Sequence, residues 1–290
     1  VKPFEINLLV EALSLLTALG FGLNAILVRK GLKDSNPATA TLVISMVQVT
    51  VLSILLVMDP PKINWVALAY FAASGVMAST LGRTLNYLSI NKLGVAISTS
   101  LVGANPLFST LFAFLFLSEK VAVTTILGSI LVVVGIAVIS SRGEETSYLK
   151  RDLLIPLGAA CFYAASSTFR KIGLNILPES VLGAVVGASM SLIIYPMYLA
   201  ASQRLGDFKL ARSSLPYLVV GGVVVSLTWI AMFYAFKLGS VSVVSSLMGT
   251  SPLFSLVLSA ILLKETEKIT KKVVIGSIVI VAGIVTISLF

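Results

Sequence analysis

The sequence predicts an all-α integral membrane protein whose ten transmembrane helices form two inverted five-helix repeats. Composition is the first reason: 57% of the 290 residues are hydrophobic and only 11% are charged, with a mean hydropathy of +1.04. A soluble domain carries about 25% charged residues. The second is placement. The 21 Lys/Arg and 12 Asp/Glu fall in short clusters between apolar runs of about 20 residues, the length that crosses a bilayer core. The third is internal repetition: Leu101-Val-Gly-Ala-Asn-Pro-Leu-Phe-Ser109 returns as Leu247-Met-Gly-Thr-Ser-Pro-Leu-Phe-Ser255, and each proline is followed thirteen residues later by a glutamate, Glu119 and Glu265. The shared unit is half the chain, too long for a solenoid repeat. Five spans per unit is an odd number, so the second unit must enter the membrane from the opposite face. The units are 1–141 and 152–290, joined by a polar linker at 142–151. The segments are too long, and alternate too little, for a β-barrel.

The first span, 8–28, holds Phe21, Gly22 and Asn24 and runs on to Arg29-Lys30. It lacks the basic start and short apolar stretch of a signal peptide. Span 2 covers 38–58. Span 3, 65–90, opens on Trp65, read as an interfacial belt residue, and contains Arg83, Asn86 and Tyr87. Arg83 lies roughly 10 Å from the nearest loop, at about 1.5 Å per residue. An intramembrane arginine costs about 2.5–3.5 kcal/mol on insertion scales, so it should face the interior. It either snorkels towards that loop, bonds freed carbonyls of a neighbouring helix, or binds a carboxylate or phosphate on a solute. Span 4, 93–117, carries Gly103, Asn105 and Pro106, and the proline leaves the Val102 carbonyl without its donor, predicting a kink. Span 5, 121–141, presents Gly128 and Gly135 on one face as a packing seam.

Span 6, 153–170, contains Cys161, a lone cysteine read as a packing residue, with Tyr163, Ser166 and Ser167. Span 7, 179–202, has Gly183-x3-Gly187, another seam. Span 8, 214–236, holds Thr228, Trp229 and Tyr234, and Trp229 is too deep for the interfacial belt. Span 9, 239–263, repeats the kink at Pro252, with Thr250 and Ser251 beside it to supply donors. Span 10, 271–290, repeats the seam at Gly276 and Gly283. Asn24, Arg83, Asn86, Tyr87, Asn105, Tyr163, Ser167, Trp229 and Tyr234 are the candidate solute contacts. For the amides and phenols, hydrogen bonding between helices is the competing role.

No catalytic residue, metal site or cofactor is predicted: there is no histidine, no phosphate-binding glycine loop and no metal-ligand spacing. An intramembrane lipid enzyme, with Arg83 holding a phosphate, is the alternative of a different class. Only Glu11 among the acids lies inside a span, which disfavours proton coupling through a buried carboxylate. The net charge of +9 sits in loops, where lipid headgroups explain it and nucleic acid need not. The expected partners are the bilayer and a small-molecule solute, with pairing into a homodimer left open.

The chain resembles the drug/metabolite transporter superfamily, specifically its ten-helix exporters built from two EamA domains. The resemblance rests on Phe21-Gly-Leu-Asn24 before Arg29-Lys30, Tyr87, the Pro-Leu-Phe motifs at Pro106 and Pro252, Leu-Ser-Glu119, Leu-Lys-Glu265 and the paired glycines of spans 5 and 10. It departs at Phe21, where the family commonly has tryptophan. The resemblance implies a multi-pass protein of the plasma membrane that exports a small organic metabolite; unless Glu11 carries a proton, uniport or exchange by alternating access is the simpler mechanism. The resemblance also implies spans 1, 3, 4, 6, 8 and 9 around a central cavity, spans 5 and 10 at the periphery, and structural roles for Glu119 and Glu265. Proton-coupled drug efflux is the alternative within the superfamily, whose small multidrug members place a glutamate where Phe21 and Gly22 stand. Orientation divides the arguments. Loops after odd-numbered spans hold fourteen Lys/Arg against six elsewhere outside the membrane, which puts both termini outside, whereas the resemblance implies cytoplasmic termini.

Overall fold

A computed structural model of the chain describes residues 3–58, 61–117, 123–140, 149–201, 208–239, 241–264 and 269–288. Among these residues the structure is all-helical, without a strand. Six helical runs are long and apolar enough to cross a membrane, so this is a multi-pass membrane protein. They are Leu8–Gly31, Pro37–Met58, Trp65–Leu93, Arg151–Ile176, Ser180–Ala201 and Leu215–Leu238. Glu119, Glu265 and most of the 142–151 linker lie outside the described residues.

The first run belongs to α1 (Pro3–Gly31) and the second is α2 (Pro37–Met58). The third is composite: α3 (Trp65–Gly75) passes into a π-helical segment, Val76–Gly82, and then into α4 (Arg83–Leu93). Asn64 caps its start, its side chain accepting from the Val66 and Ala67 amides. The amide of Arg83 still bonds five residues back, to the Ala78 carbonyl. A π segment turns everything after it relative to the helix before, and such segments gather at functional sites. Here it sets the direction in which Arg83, Asn86 and Tyr87 point.

The two spans that carry the repeated Pro-Leu-Phe motif are broken rather than kinked. α5 (Val95–Val102) stops at Gly103-Ala104 and α6 (Asn105–Leu117) restarts with Pro106 as its second residue; α11 (Val241–Met248) stops at Gly249-Thr250 and α12 (Ser251–Leu262) restarts with Pro252. A helix needs no amide donors in its first turn, so proline fits a restart better than an interior. The Thr250 hydroxyl donates to the Leu247 carbonyl at 2.7 Å, as its place beside the proline suggests. The two breaks touch, because a Cβ added to Gly103 would lie 2.6 Å from Cγ of Pro252.

The glycine seams are contact surfaces. In α7 (Val123–Ser140) and α13 (Lys271–Ser288), Gly135 abuts the Gly276 carbonyl, Gly276 abuts that of Gly135, and Gly283 meets the Gly128 carbonyl, each at 2.6–2.8 Å from an added Cβ. The contacts run in opposite order along the two helices, so they are antiparallel. Gly75 lies against backbone of Gly187 in α9 (Ser180–Ala201), where an added Cβ would collide with the Gly187 carbonyl oxygen. Small residues at such crossings let backbones approach where lipid supplies little hydrophobic driving force. Their neighbour Gly183 receives the rings of Phe71 and Phe233.

The main core gathers α1 to α4, α8 (Leu154–Ile176), α9 and α10 (Leu215–Leu238), with Phe71, Phe233, Phe236 and Ile44 fully buried. α7 and α13 pair beside it around Val132, Ile139, Ile280 and Ile284. Their other faces expose Ile130, Val133, Ile275 and Ile278, an apolar surface suited to lipid.

Two basic residues close helix ends. Arg29 donates to the carbonyls of Ile90 and Asn91 at the end of α4, both at 3.1 Å. Lys171 donates to those of Phe236 and Gly239 at the end of α10, both at 2.8 Å. Unpaired carbonyls and the helix dipole favour a cation there.

Candidate functional site

α1, α4, α5, α6, α8, α10, α11 and α12 enclose a central cavity of about 120 Å³. The touching breaks form part of its wall through Gly103, Asn105, Pro106, Met248, Gly249 and Ser251. Of the residues expected from sequence, Asn24, Arg83, Asn86, Tyr87, Asn105, Tyr163, Ser167 and Trp229 all line it. Tyr234 does not. Its side chain is 39% exposed on the outer face of α10, with Lys237 near its ring. Five residues turn a helix by about 140° beyond one full circle, so Tyr234 cannot share the inward face of Trp229, and its assignment to the solute is corrected.

Several of these groups are also tied to one another. Asn24 donates from Nδ2 to the Gly221 carbonyl of α10 at 2.9 Å and accepts from the Tyr87 hydroxyl at 3.4 Å. Ser167 donates to the Tyr163 carbonyl in its own helix at 3.0 Å, and Asn105 accepts from Ser109 at 2.8 Å. Arg83 is 3% exposed and spends both terminal nitrogens on α2: Nη1 donates to Ser45 at 2.8 Å and Nη2 to Gln48 at 2.5 Å. It therefore anchors the third run to α2 while standing in the cavity wall. Sequence reasoning passed over these partners. Thr41, Ser45 and Gln48 follow at helical spacing on one face of a mostly apolar span, and that stripe was the available signal.

The larger omission is Arg170. The span expected over 153–170 ends on this arginine, but α8 continues to Ile176, and Arg170 is 2% exposed and lines the cavity. Arg83 is thus joined by a second buried arginine. Nη2 of Arg170 donates to Ser166 at 3.0 Å, and Nη1 meets only the weak acceptor sulfur of Met232 at 3.4 Å. Its guanidinium lies 4.7 Å from the ring centre of Phe233, 5.5 Å from Phe236 and 5.6 Å from Trp229. Arg83 stands at the same 5.6 Å from Trp229. Both arginines are in cation–π range of one indole. Gly187 makes room for that indole, its would-be Cβ lying 3.2 Å from the ring.

Among the described residues no aspartate or glutamate lines the cavity. Glu11, the one acid expected inside a span, is exposed and stands outside the lining. The site is therefore electropositive, aromatic on one side and amide- and hydroxyl-bearing on the other.

The model of the EamA-like transporter family matches this chain twice, over residues 8–141 and 150–289. The chain belongs to the EamA-like transporter family. Similar proteins include an uncharacterized transporter of Archaeoglobus fulgidus, 25% identical over 281 residues and covering 96% of this chain and 97% of its own. Another is the uncharacterized transporter YvbV of Bacillus subtilis, 26% identical over 219 residues, which are 74% of this chain and 70% of the relative. An uncharacterized protein of Methanocaldococcus jannaschii is 30% identical over 139 residues, 47% of this chain but 96% of that protein, so this relative is about as long as one of the two EamA matches. A solved crystal structure superposes with a TM-score of 0.69 over 99% of this chain and 98% of its own at 14% identity, a likeness of fold. Family and relatives point to a membrane transporter rather than an enzyme.

Proposed function

We propose that this chain is a plasma-membrane secondary transporter that exports or exchanges a small polar organic metabolite by alternating access, without obligatory proton coupling. The observation that carries the reading is the central cavity where two broken helices, one from each EamA match, touch beside a pair of buried arginines. Broken helices at a repeat interface are where secondary transporters bind their solutes, because the freed backbone groups face a cavity there. The reading includes ten membrane-crossing helices in two inverted five-helix repeats: α3 with α4, α5 with α6, and α11 with α12 each count as one crossing. The antiparallel contact of α7 with α13, which hold equivalent places in the two repeats, supports the inversion. The family membership supports transport itself, and the carboxylate-free lining supports an uncoupled mechanism.

The test is counterflow into proteoliposomes loaded with amino acids, nucleosides, organic acids or sugar phosphates, with and without an imposed pH gradient. Exchange of at least one class is expected, independent of the gradient and unchanged in Glu11→Gln. Concentrative uptake that follows the gradient and vanishes in Glu11→Gln would establish proton coupling. Absence of movement for every solute would remove the transport reading.

A further inference from the structure

We infer that Arg170 and Ser245 form a binding site for an oxyanion, a carboxylate or phosphate, on the solute that occupies the cavity. The inference rests on the transport reading above and names the substrate class for it.

Four observations converge. Nε of Arg170 is buried and has no hydrogen-bond partner, and so is the hydroxyl of Ser245, which is 5% exposed on α11. Both residues line the same cavity. Two unpaired donors there match an acceptor that arrives from outside, since buried donors in native proteins are almost always satisfied. Next, the charge is uncompensated: no described carboxylate lines the cavity, and the aromatic rings around the Arg170 guanidinium attract a cation without accepting its N–H groups. A guanidinium carries five N–H donors, and only two of those of Arg170 are engaged, one by a thioether.

The third observation is a division of labour between repeats. Arg29-Lys30 and Arg170-Lys171 lie in equivalent helices, α1 and α8, at the same distance from Phe21 and Phe162. In the first half the arginine closes the end of α4; in the second the lysine closes the end of α10. Lys171 does the capping, so Arg170 is free of the task its counterpart performs and turns inward. Finally, Arg83 stands on the same indole at the same distance, which places the two guanidiniums no further apart than twice that separation. Arg83 commits its terminal nitrogens to Ser45 and Gln48 and contributes charge; Arg170 contributes charge and open donors. Two cations without an acid favour a solute of charge −2 over a monoanion and exclude a cation.

The experiment uses the full chain in detergent with Trp65→Phe, which leaves Trp229 as its one tryptophan. Trp65 is 80% exposed and is not part of the cavity lining. Emission of Trp229 is titrated with succinate, glycerol 3-phosphate, glycerol and choline. Saturable changes are expected with succinate and glycerol 3-phosphate, the stronger of the two showing whether the site takes carboxylate or phosphate, and none with glycerol or choline. Arg170→Gln should weaken binding by about thirtyfold or more. Arg170→Lys should recover part of it, as a point charge without the planar fork, and Ser245→Ala should weaken it by about tenfold. The serine variant removes a single hydroxyl and keeps the test decisive if an Arg170 variant fails to fold. Equal saturation by glycerol or choline, silence toward both oxyanions, or unchanged affinity in the Arg170 and Ser245 variants would overturn the inference. Oxyanion binding without movement of any solute in liposomes would instead leave this site standing and remove the transport reading. Transport of neutral solutes without oxyanion binding would do the reverse.

Discussion

Trp229→Ala is expected to abolish transport and to cost about 3 kcal/mol of stability, the low end for truncating a buried tryptophan because a bilayer supplies little hydrophobic driving force. The indole is 4% exposed and packs on Phe233 with ring centres 5.9 Å apart and against Gly187. It also lies within 5.6 Å of both Arg83 and Arg170. Removing it leaves two buried cations beside a void, each having lost its cation–π contact. Trp229→Phe keeps an aromatic face but a weaker one. It should retain most of the stability and part of the activity. Thermal unfolding in detergent and counterflow in liposomes check the two parts separately.

Arg83→Ala comes second. The arginine joins α4 to α2 through Ser45 and Gln48, both fully buried, and Nε2 of Gln48 already has no partner. Deleting the guanidinium leaves the Gln48 Oε1 unsatisfied as well, costing about 1–3 kcal/mol, while the Ser45 hydroxyl keeps its bond to Ser191. Transport of every solute should fall, since the wall that holds Asn86 and Tyr87 loses its tie to α2. Arg83→Lys should recover only part of the stability, because one ammonium cannot span both acceptors as the guanidinium fork does. Wild-type unfolding temperature in Arg83→Ala would show that the tie to α2 carries no stability.

How much of this was legible in the sequence depends on which physical signal each feature leaves. Hydropathy and charge clustering mark where helices run, and most helix ends lie within a few residues of the expected spans. Repetition exposed the two prolines and the glycine seams, although proline chemistry alone does not separate a kink from a break. The touching glycine at 103 and proline at 252 make that difference. Arg170 was missed because it adjoins Lys171 and repeats Arg29-Lys30, which reads as a helix end. The apolar pattern Ile172-Gly-Leu-Asn-Ile-Leu177 before Pro178 was the clue that α8 continues past it. Tyr234 was admitted on residue type, and its helical angle from Trp229 should have removed it. The π segment leaves no pattern of its own. A widened turn over Val76–Gly82 is set by the Gly75–Gly187 crossing and the Ser79 hydroxyl bond to the Gly187 carbonyl, contacts distant in sequence.

Alternating access requires the cavity beside the helix breaks to open to each side of the membrane in turn. Asn105 lies in that cavity at the first break, and the single native cysteine, Cys161, can be replaced by serine to give a cysteine-free background. Asn105→Cys in that background, reconstituted in vesicles, is to be labelled with a membrane-impermeant thiol reagent supplied first outside and then trapped inside. Alternating access predicts labelling from both sides, with a solute that exchanges in counterflow protecting against both. Labelling from one side alone, or from neither, would contradict it.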